Sequence, residues 1–269
     1  MGYNVQDTLF VDSRKGTNVI NHVKKIVWVF AFAVLLAPWT SAFAGPPFRT
    51  DDPEPVGHRH GEVYLFTAGT RDEDGISGVG PAIEFNYGIF PDAMFHVIIP
   101  AAFNSPHGEE SHFGYGDTEL GIKYRFVHQT DVLPDVGTFP LVEIPSGDAH
   151  KGLGNGKAQY FLPVWLQKDF GKWTTYGGGG YWVNPGDGNR NWWFSGILLQ
   201  YSFTEELYLG GEIFHQTADT AGGKDSTGFN LGGSIPLPGS FQILFSAGSG
   251  LQHASTNRFS YYIAIYRAF

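Results

Sequence analysis

The sequence predicts an all-β fold: a transmembrane up-and-down antiparallel β-barrel of about twelve strands, following an N-terminal signal peptide. Three observations carry this expectation. The 269-residue chain holds 37 glycines and 16% aromatic residues, against roughly 7% glycine in ordinary globular proteins, and from Gly61 onward no stretch has the pattern of a long helix. Apolar and polar residues alternate with period two in segment after segment, the mark of strands with two unlike faces. The spacers between these segments also alternate between short and long, as the turns and loops at the two ends of an outer-membrane barrel do.

At the amino terminus, Lys24 and Lys25 precede the apolar run "IVWVFAFAVLLAPW", and "SAFA" follows. A basic n-region, a short apolar h-region and small residues at Ala42 and Ala44 read as a secretory signal cleaved after Ala44. The uninterrupted apolar stretch from Ile26 to Ala37 falls short of the roughly 20 residues a helix needs to span a bilayer. Residues 1–44 are thus expected as signal peptide, 45–60 as a periplasmic segment or plug, and 61–269 as the barrel.

The expected strands are 61–71, 79–90, 93–103, 116–128, 136–146, 158–169, 172–183, 192–203, 206–216, 226–237, 241–251 and 258–269. In the second, Ile83, Phe85, Tyr87 and Ile89 oppose Glu84, Asn86 and Gly88. In the fourth, Thr118, Leu120, Ile122, Tyr124 and Phe126 oppose Asp117, Glu119, Gly121, Lys123 and Arg125. The tenth sets Phe229, Leu231, Gly233 and Ile235 against Asn230, Gly232 and Ser234. Short spacers are read at Pro91-Asp92, Gly171, Thr204-Glu205 and Pro238-Gly239, with a longer one at Gln129 to Asp135. Long polar ones are read at 72–78, 104–115, 147–157, 184–191, 217–225 and 253–257. Prolines at 81, 100, 140, 145, 163 and 236 should each mark a bulge or strand end, because proline donates nothing to a ladder. The run Gly177–Gly180 leaves either a lateral gap, room for an inserted segment, or close packing under a bulky neighbour.

Periodicity alone does not say which face points out. A soluble sandwich or lipocalin-like barrel would turn the polar face to water. The strand length of about 10–12 residues suits a tilted membrane strand, and aromatics such as Phe90, Phe126, Trp173, Trp182, Trp192, Trp193 and Phe203 collect near strand ends as interfacial girdles do. The polar face carries both charge signs in mid-strand, which fits a narrow lumen. Its candidate lumen or selectivity residues are Glu84, Asn86, His96, Glu119, Lys123, Arg125, Glu143 and Glu212, with Gln159, Gln167, Gln200 and Asn230 beside them. A buried charge needs a partner, so the four glutamates are expected to pair with Lys123 and Arg125. Candidate plug residues are Arg49, Asp51, Asp52, His58 and His60 in "RTDDPEPVGHRH". Their carboxylates and imidazoles are types that suit zinc, but the spacing defines no site and no metal is assigned.

Several function classes fall away. The chain has no cysteine, excluding disulfides and thiol chemistry, and its formal charge of −9 becomes −11 once cleavage removes four basic and two acidic residues, so no nucleic-acid partner is expected. "KGLGNGKA" departs from a phosphate loop at Lys151 and Ala158. His253 with Ser255, and His215 with Thr217, lie where an outer-membrane lipid hydrolase might keep a site but show no nucleophile motif; no catalytic residue and no cofactor is assigned.

The segments "PFRTDDPEPVGHRHGEVYLF", "YGIFPDAMFHVIIP", "GYGDTELGIKYRF", "EIPSGD" and "KWTTYGGGGYW" together resemble the family named for the MetA pathway of phenol degradation, from about Pro47 to Phe269. The resemblance implies an outer-membrane barrel, with uptake of aromatic compounds associated with some members. The expected function is an outer-membrane channel or transporter for passive passage of small solutes, aromatic or hydrophobic ones among them. The alternatives are a lipid-modifying hydrolase and a plugged barrel with a structural or surface role. Expected partners are outer-membrane lipid, the solute, and the barrel-insertion machinery, which would read the C-terminal strand "YYIAIYRAF" ending at Phe269. Arg267 departs from the apolar residue usual two places before such a terminal aromatic.

Overall fold

A computed structural model describes residues 46–269; the expected signal peptide and Gly45 lie outside the described residues. Fourteen strands form one antiparallel sheet that closes on itself: β1 (Gly61–Arg71), β2 (Gly75–Phe90), β3 (Ala93–Pro106), β4 (His112–Tyr115), β5 (Thr118–Val127), β6 (Asp135–Thr138), β7 (Leu141–Ile144), β8 (Gln159–Phe170), β9 (Trp173–Val183), β10 (Trp192–Ser202), β11 (Tyr208–Gln216), β12 (Ser226–Leu237), β13 (Phe241–Gln252) and β14 (Phe259–Ala268). Because β4 and β5 both pair with β3, and β6 and β7 both lie between β5 and β8, these four pieces make two staves of the wall. The result is a closed barrel of twelve strands, sealed where β1 pairs with β14 from Glu62↔Ala268 to Arg71↔Phe259. Closure leaves no row of unpaired backbone groups at a sheet edge.

The prolines explain the interruptions. Pro140 stands between β6 and β7, and Pro145 follows the end of β7. Pro81 lies within a register shift between Val79 and Ala82. Pro100 falls where the partner of β3 changes from β5 to β4, and Pro163 faces the break between β6 and β7. Pro236 sits one residue from the end of β12. The missing N–H falls in each case where the ladder is already shifted, broken or ending.

Two expectations about the wall itself change. Residues 75–78 and 104–106 are strand, paired Gly75↔Pro106 through Gly78↔Phe103, so the expected loops at 72–78 and 104–115 shrink to 72–74 and 107–111. Small residues such as Gly75, Ser77 and Gly78 give no hydrophobic period, yet their backbones complete the ladder. The lateral gap is absent too: Gly177–Gly180 pair continuously with β8 and with β10. The side chains of Phe161 and Trp165 close over them. A Cβ on Gly180 would lie 2.6 Å from Phe161 Cε2, and one on Gly178 would meet the Val164 carbonyl oxygen and stand 3.0 Å from Trp165. Gly178→Val is therefore expected to lower stability by about 1–3 kcal/mol, the usual cost of overpacking; the midpoint of urea unfolding in vesicles measures it.

The barrel is turned inside out relative to a water-soluble one. Leu65, Ile83, Ile122, Leu162, Ile197, Leu199, Ile213, Leu231 and Ile263 all point outward, Leu231 and Ile197 with 62% of their surface exposed. Their strand neighbours Tyr64, Glu84, Lys123, Phe161, Leu198, Glu212 and Asn230 are buried inside. Phe90, Phe126, Trp173, Trp193 and Phe203 stand exposed near strand ends. Trp182 and Trp192, expected in the same girdle, instead face inward: Trp182 stacks on Phe161 at 4.8 Å and on Trp192 at 5.5 Å between centroids.

Inside, residues 46–60 run through the bore before turning into β1. Phe48 packs on a cluster of Tyr64, Phe66, Ala82, Tyr208, Leu244, Ala264 and Tyr266. Val56 is fully enclosed in a second cluster with Met94, Phe139, Phe161, Trp165, Phe194 and Phe214, a burial worth about 1.5–3 kcal/mol. The Ser246 hydroxyl donates to the Pro47 carbonyl at 2.5 Å. At the other end of the segment His58 bridges Gly88, and the Arg59 N–H donates to the Gly88 carbonyl at 2.8 Å.

Candidate functional site

The bore holds the charged residues that strand alternation turns inward, and the segment 46–60 supplies most of their partners. Lys123, on β5, has no exposed surface. Its ammonium donates to Asp51 Oδ1 at 2.9 Å and to Asp52 Oδ1 at 3.4 Å, and lies 5.0 Å from the centroid of Phe139. Two residues along the same face, Arg125 meets Glu54 Oε1 at 3.5 Å, Asp135 at 3.4 Å and Asp92 at 3.7 Å. Opposite them, Glu212 on β11 is a backbone acceptor for the segment: Oε1 receives the Arg49 N–H at 2.9 Å and Oε2 the Thr50 N–H at 2.7 Å. Asn230 also donates to Glu212 Oε1 at 2.6 Å. Such charge-assisted bonds to a backbone are among the stronger ones in proteins.

The pairing expected from sequence is thus corrected. Neither Lys123 nor Arg125 pairs with Glu84, Glu119, Glu143 or Glu212. Period two aligns these residues on one face but carries no distance across a barrel, whereas Asp51, Asp52 and Glu54 are threaded directly past both cations. Glu84 and Glu119 instead flank His96. Asn86 Nδ2 donates to Glu84 Oε1 at 2.9 Å, His96 Nδ1 lies 2.6 Å from Asn86 Oδ1, and His96 Nε2 lies 2.8 Å from Glu119 Oε1. Glu143 stands in register with Glu119. Gln159 bonds Asn184 at 2.5 Å and Gln167 bonds Glu54 at 3.4 Å.

The five residues of the candidate plug divide. Arg49 lies 4.5 Å above the Phe214 ring and donates to Gln216 at 2.9 Å, and Asp51 and Asp52 hold Lys123. His58 and His60 are at the short-turn end: His58 pairs with Gly88, the Gly88 N–H donates to the His60 carbonyl at 3.0 Å, and His60 Nδ1 lies 3.0 Å from the His58 carbonyl oxygen. The carboxylates and imidazoles do not converge, and no group of side chains able to hold a metal occurs among the described residues. Nor does either histidine face a candidate nucleophile: His253 Nδ1 lies 2.5 Å from the Asp225 carbonyl, and His215 Nδ1 lies 2.9 Å from Thr227 rather than Thr217.

Three participants escaped the sequence reading. Thr50 seats against Gly196, where any Cβ would collide with its hydroxyl. Glu54 bonds both Arg125 and Gln167. Glu62 is enclosed and receives the hydroxyls of Tyr64 and Tyr266, each at 2.9 Å. The i, i+2 pair Glu62/Tyr64 in "GEVYLF" was the one visible signal for the last of these. The segment lines two cavities: one of about 620 Å³ at the long-loop end, walled by Phe48 and Arg49, and one of about 490 Å³ at the short-turn end, walled by Asp52 and Glu54.

The sequence model of the family described as "Putative MetA-pathway of phenol degradation" matches residues 71–268, leaving the inner segment outside the matched range. Among curated proteins, none matches. Among solved structures, the COG4313 outer membrane channel from Pseudomonas putida F1 is similar at a TM-score of 0.65 and 15% identity, with 87% of this chain and 100% of that chain covered. At that identity the likeness is one of fold. A loop-deletion variant of OmpT, an outer membrane protein of Vibrio cholerae, aligns over 78% of this chain and 98% of its own at 9% identity and a TM-score of 0.32.

Proposed function

Since this chain belongs to the MetA-pathway of phenol degradation family and folds as a closed barrel with an apolar exterior and a polar bore, we propose that it is an outer-membrane channel for passive passage of small solutes. One observation carries the reading: the belt of outward Leu, Ile and Val side chains around buried Glu84, His96, Lys123, Glu212 and Asn230. An exterior of that kind is stable against hydrocarbon, and a closed ladder satisfies the backbone there. The segment 46–60 narrows the bore, so the pathway admits solutes only past the ring formed by Lys123, Arg125, Glu212 and the segment's own carboxylates. Its barrel serves transport rather than catalysis. The family description and the inward stack of Phe161, Trp182 and Trp192 favour aromatic solutes over aliphatic ones of equal size.

Refolded mature protein in planar bilayers and in swelling liposomes tests this. The expected result is a small, stable conductance and faster entry of small aromatic solutes than of size-matched aliphatic ones. A bilayer-inserted barrel with no flux of any solute would overturn the channel; equal entry of both solute classes would overturn the aromatic preference.

A further inference from the structure

The cavity at the long-loop end holds two opposite charges that do not meet. Arg49 and Asp219 both line it. The Arg49 guanidinium lies over Phe214 and gives one of its N–H groups to Gln216, leaving the other donors of its fork unused. Among the described residues it forms no ion pair. The Asp219 carboxylate likewise forms none and accepts no hydrogen bond, and it acts on the guanidinium through its field alone. Both side chains face the cavity from anchored backbones. The Arg49 N–H is seated on Glu212 at 2.9 Å. The Asp219 carbonyl accepts the Arg190 N–H at 2.7 Å and Asn184 Nδ2 at 3.1 Å, which ties its loop to the preceding one.

The wall has a further unmet need. Asn257, only 7% exposed, lines the same cavity, and neither its side-chain oxygen nor the Tyr262 hydroxyl beside it on the wall has a hydrogen-bond partner. Buried polar groups in native proteins almost always have one. An amide oxygen can only accept, so the missing group is a donor. The remaining charges exclude the simplest ligands. Asp72, Glu73 and Asp74 stand on this cavity against Lys224, so a plain anion on Arg49 would meet negative surroundings. A plain cation at Asp219 would leave the guanidinium without a counter-charge, because the nearby Glu212 carboxylate is already engaged by the N–H groups of Arg49 and Thr50 and by Asn230. Pro46, where the described chain begins, lines the other cavity.

We propose that the long-loop cavity binds a small zwitterion, an α-amino acid with an aromatic side chain. Its carboxylate takes the free N–H groups of Arg49, a fork that suits a carboxylate's two oxygens. Its ammonium answers Asp219, with the Asn257 amide oxygen as a further acceptor, and its ring rests against Phe48 and Tyr262. A volume of about 620 Å³ lies within the usual range for small-molecule sites. This site goes beyond the channel reading, because binding here requires no flux.

Titration calorimetry on mature protein refolded in detergent tests it with three ligands that share one ring: phenylalanine, 3-phenylpropanoate, which lacks the ammonium, and phenethylamine, which lacks the carboxylate. Phenylalanine should bind saturably and about tenfold more tightly than either analogue. Arg49→Gln keeps the backbone bond to Glu212 and should bring phenylalanine down to the affinity of phenethylamine. Asp219→Asn should bring it down to that of 3-phenylpropanoate. Heat-modifiable electrophoretic mobility confirms that each variant is folded. Absence of saturable phenylalanine binding overturns the proposal. So does an analogue that binds as tightly as phenylalanine, or undiminished affinity in either variant. A barrel that conducts without binding phenylalanine defeats only this inference; one that binds without conducting defeats only the channel.

Discussion

Lys123→Met should lower the unfolding free energy of the barrel by about 3–5 kcal/mol, the typical cost of breaking a buried ion pair from one side. The ammonium has no exposed surface and holds Asp51 and Asp52 at once. Methionine fills a similar volume, so the loss is electrostatic: two carboxylates stay in a confined bore with their cation gone. Adding Asp51→Asn and Asp52→Asn to the same chain should recover most of the deficit, because neutral amides no longer require the ammonium. Urea unfolding in lipid vesicles, followed by tryptophan fluorescence, reads both changes. An unaltered midpoint in the single variant would show that the segment is not fastened at Lys123.

The second large effect concerns the bore. Deleting residues 46–56 should raise single-channel conductance several-fold while the wall remains intact. The segment is the only stretch of described chain that runs through the interior, and Thr50 lies against Gly196 while its N–H bonds Glu212 across the barrel. Every ladder from β1 to β14 is made without it. Gly196→Val should act in the same direction without a deletion, since its side chain occupies the place of the Thr50 hydroxyl; the displaced segment should then become sensitive to protease. A deletion variant that conducts no better than the parent would mean that the constriction lies elsewhere.

Most of the wall was legible in the sequence because alternation is a local property. "DTELGIKYRF" announces its two faces without knowledge of its neighbours, and the hairpins follow from the spacers. What failed locally failed for local reasons: Gly75, Ser77 and Gly78 have no apolar period, and Trp182 and Trp192 sit at strand ends yet stack inward. The interior was less readable. Inward orientation of Glu84, His96, Lys123 and Glu212 follows from parity, but which of them meet depends on barrel diameter, stagger and whatever fills the bore. "RTDDPEP" could be read as a candidate insert from its charge. That its backbone would satisfy Glu212, and that Thr50 would exploit the bare Cα of Gly196 some 146 positions later, had no signature in either stretch.

The route of the inner segment also sets an order of events during assembly. Only Gly57, His58, Arg59 and His60 separate Val56, enclosed in the bore, from Gly61, the first residue of β1, and β1 is one of the two strands that close the seam. While β1 and β14 are apart, the sheet is an open trough into which the segment can be laid sideways. Once those ten residue pairs have formed, the remaining way in is end-on through the short-turn mouth, around a sharp corner at Gly57–His60. The seam and the filling of the bore are therefore steps of a single process, in which early docking of Asp51 and Asp52 on Lys123 gives the closing wall something to close around.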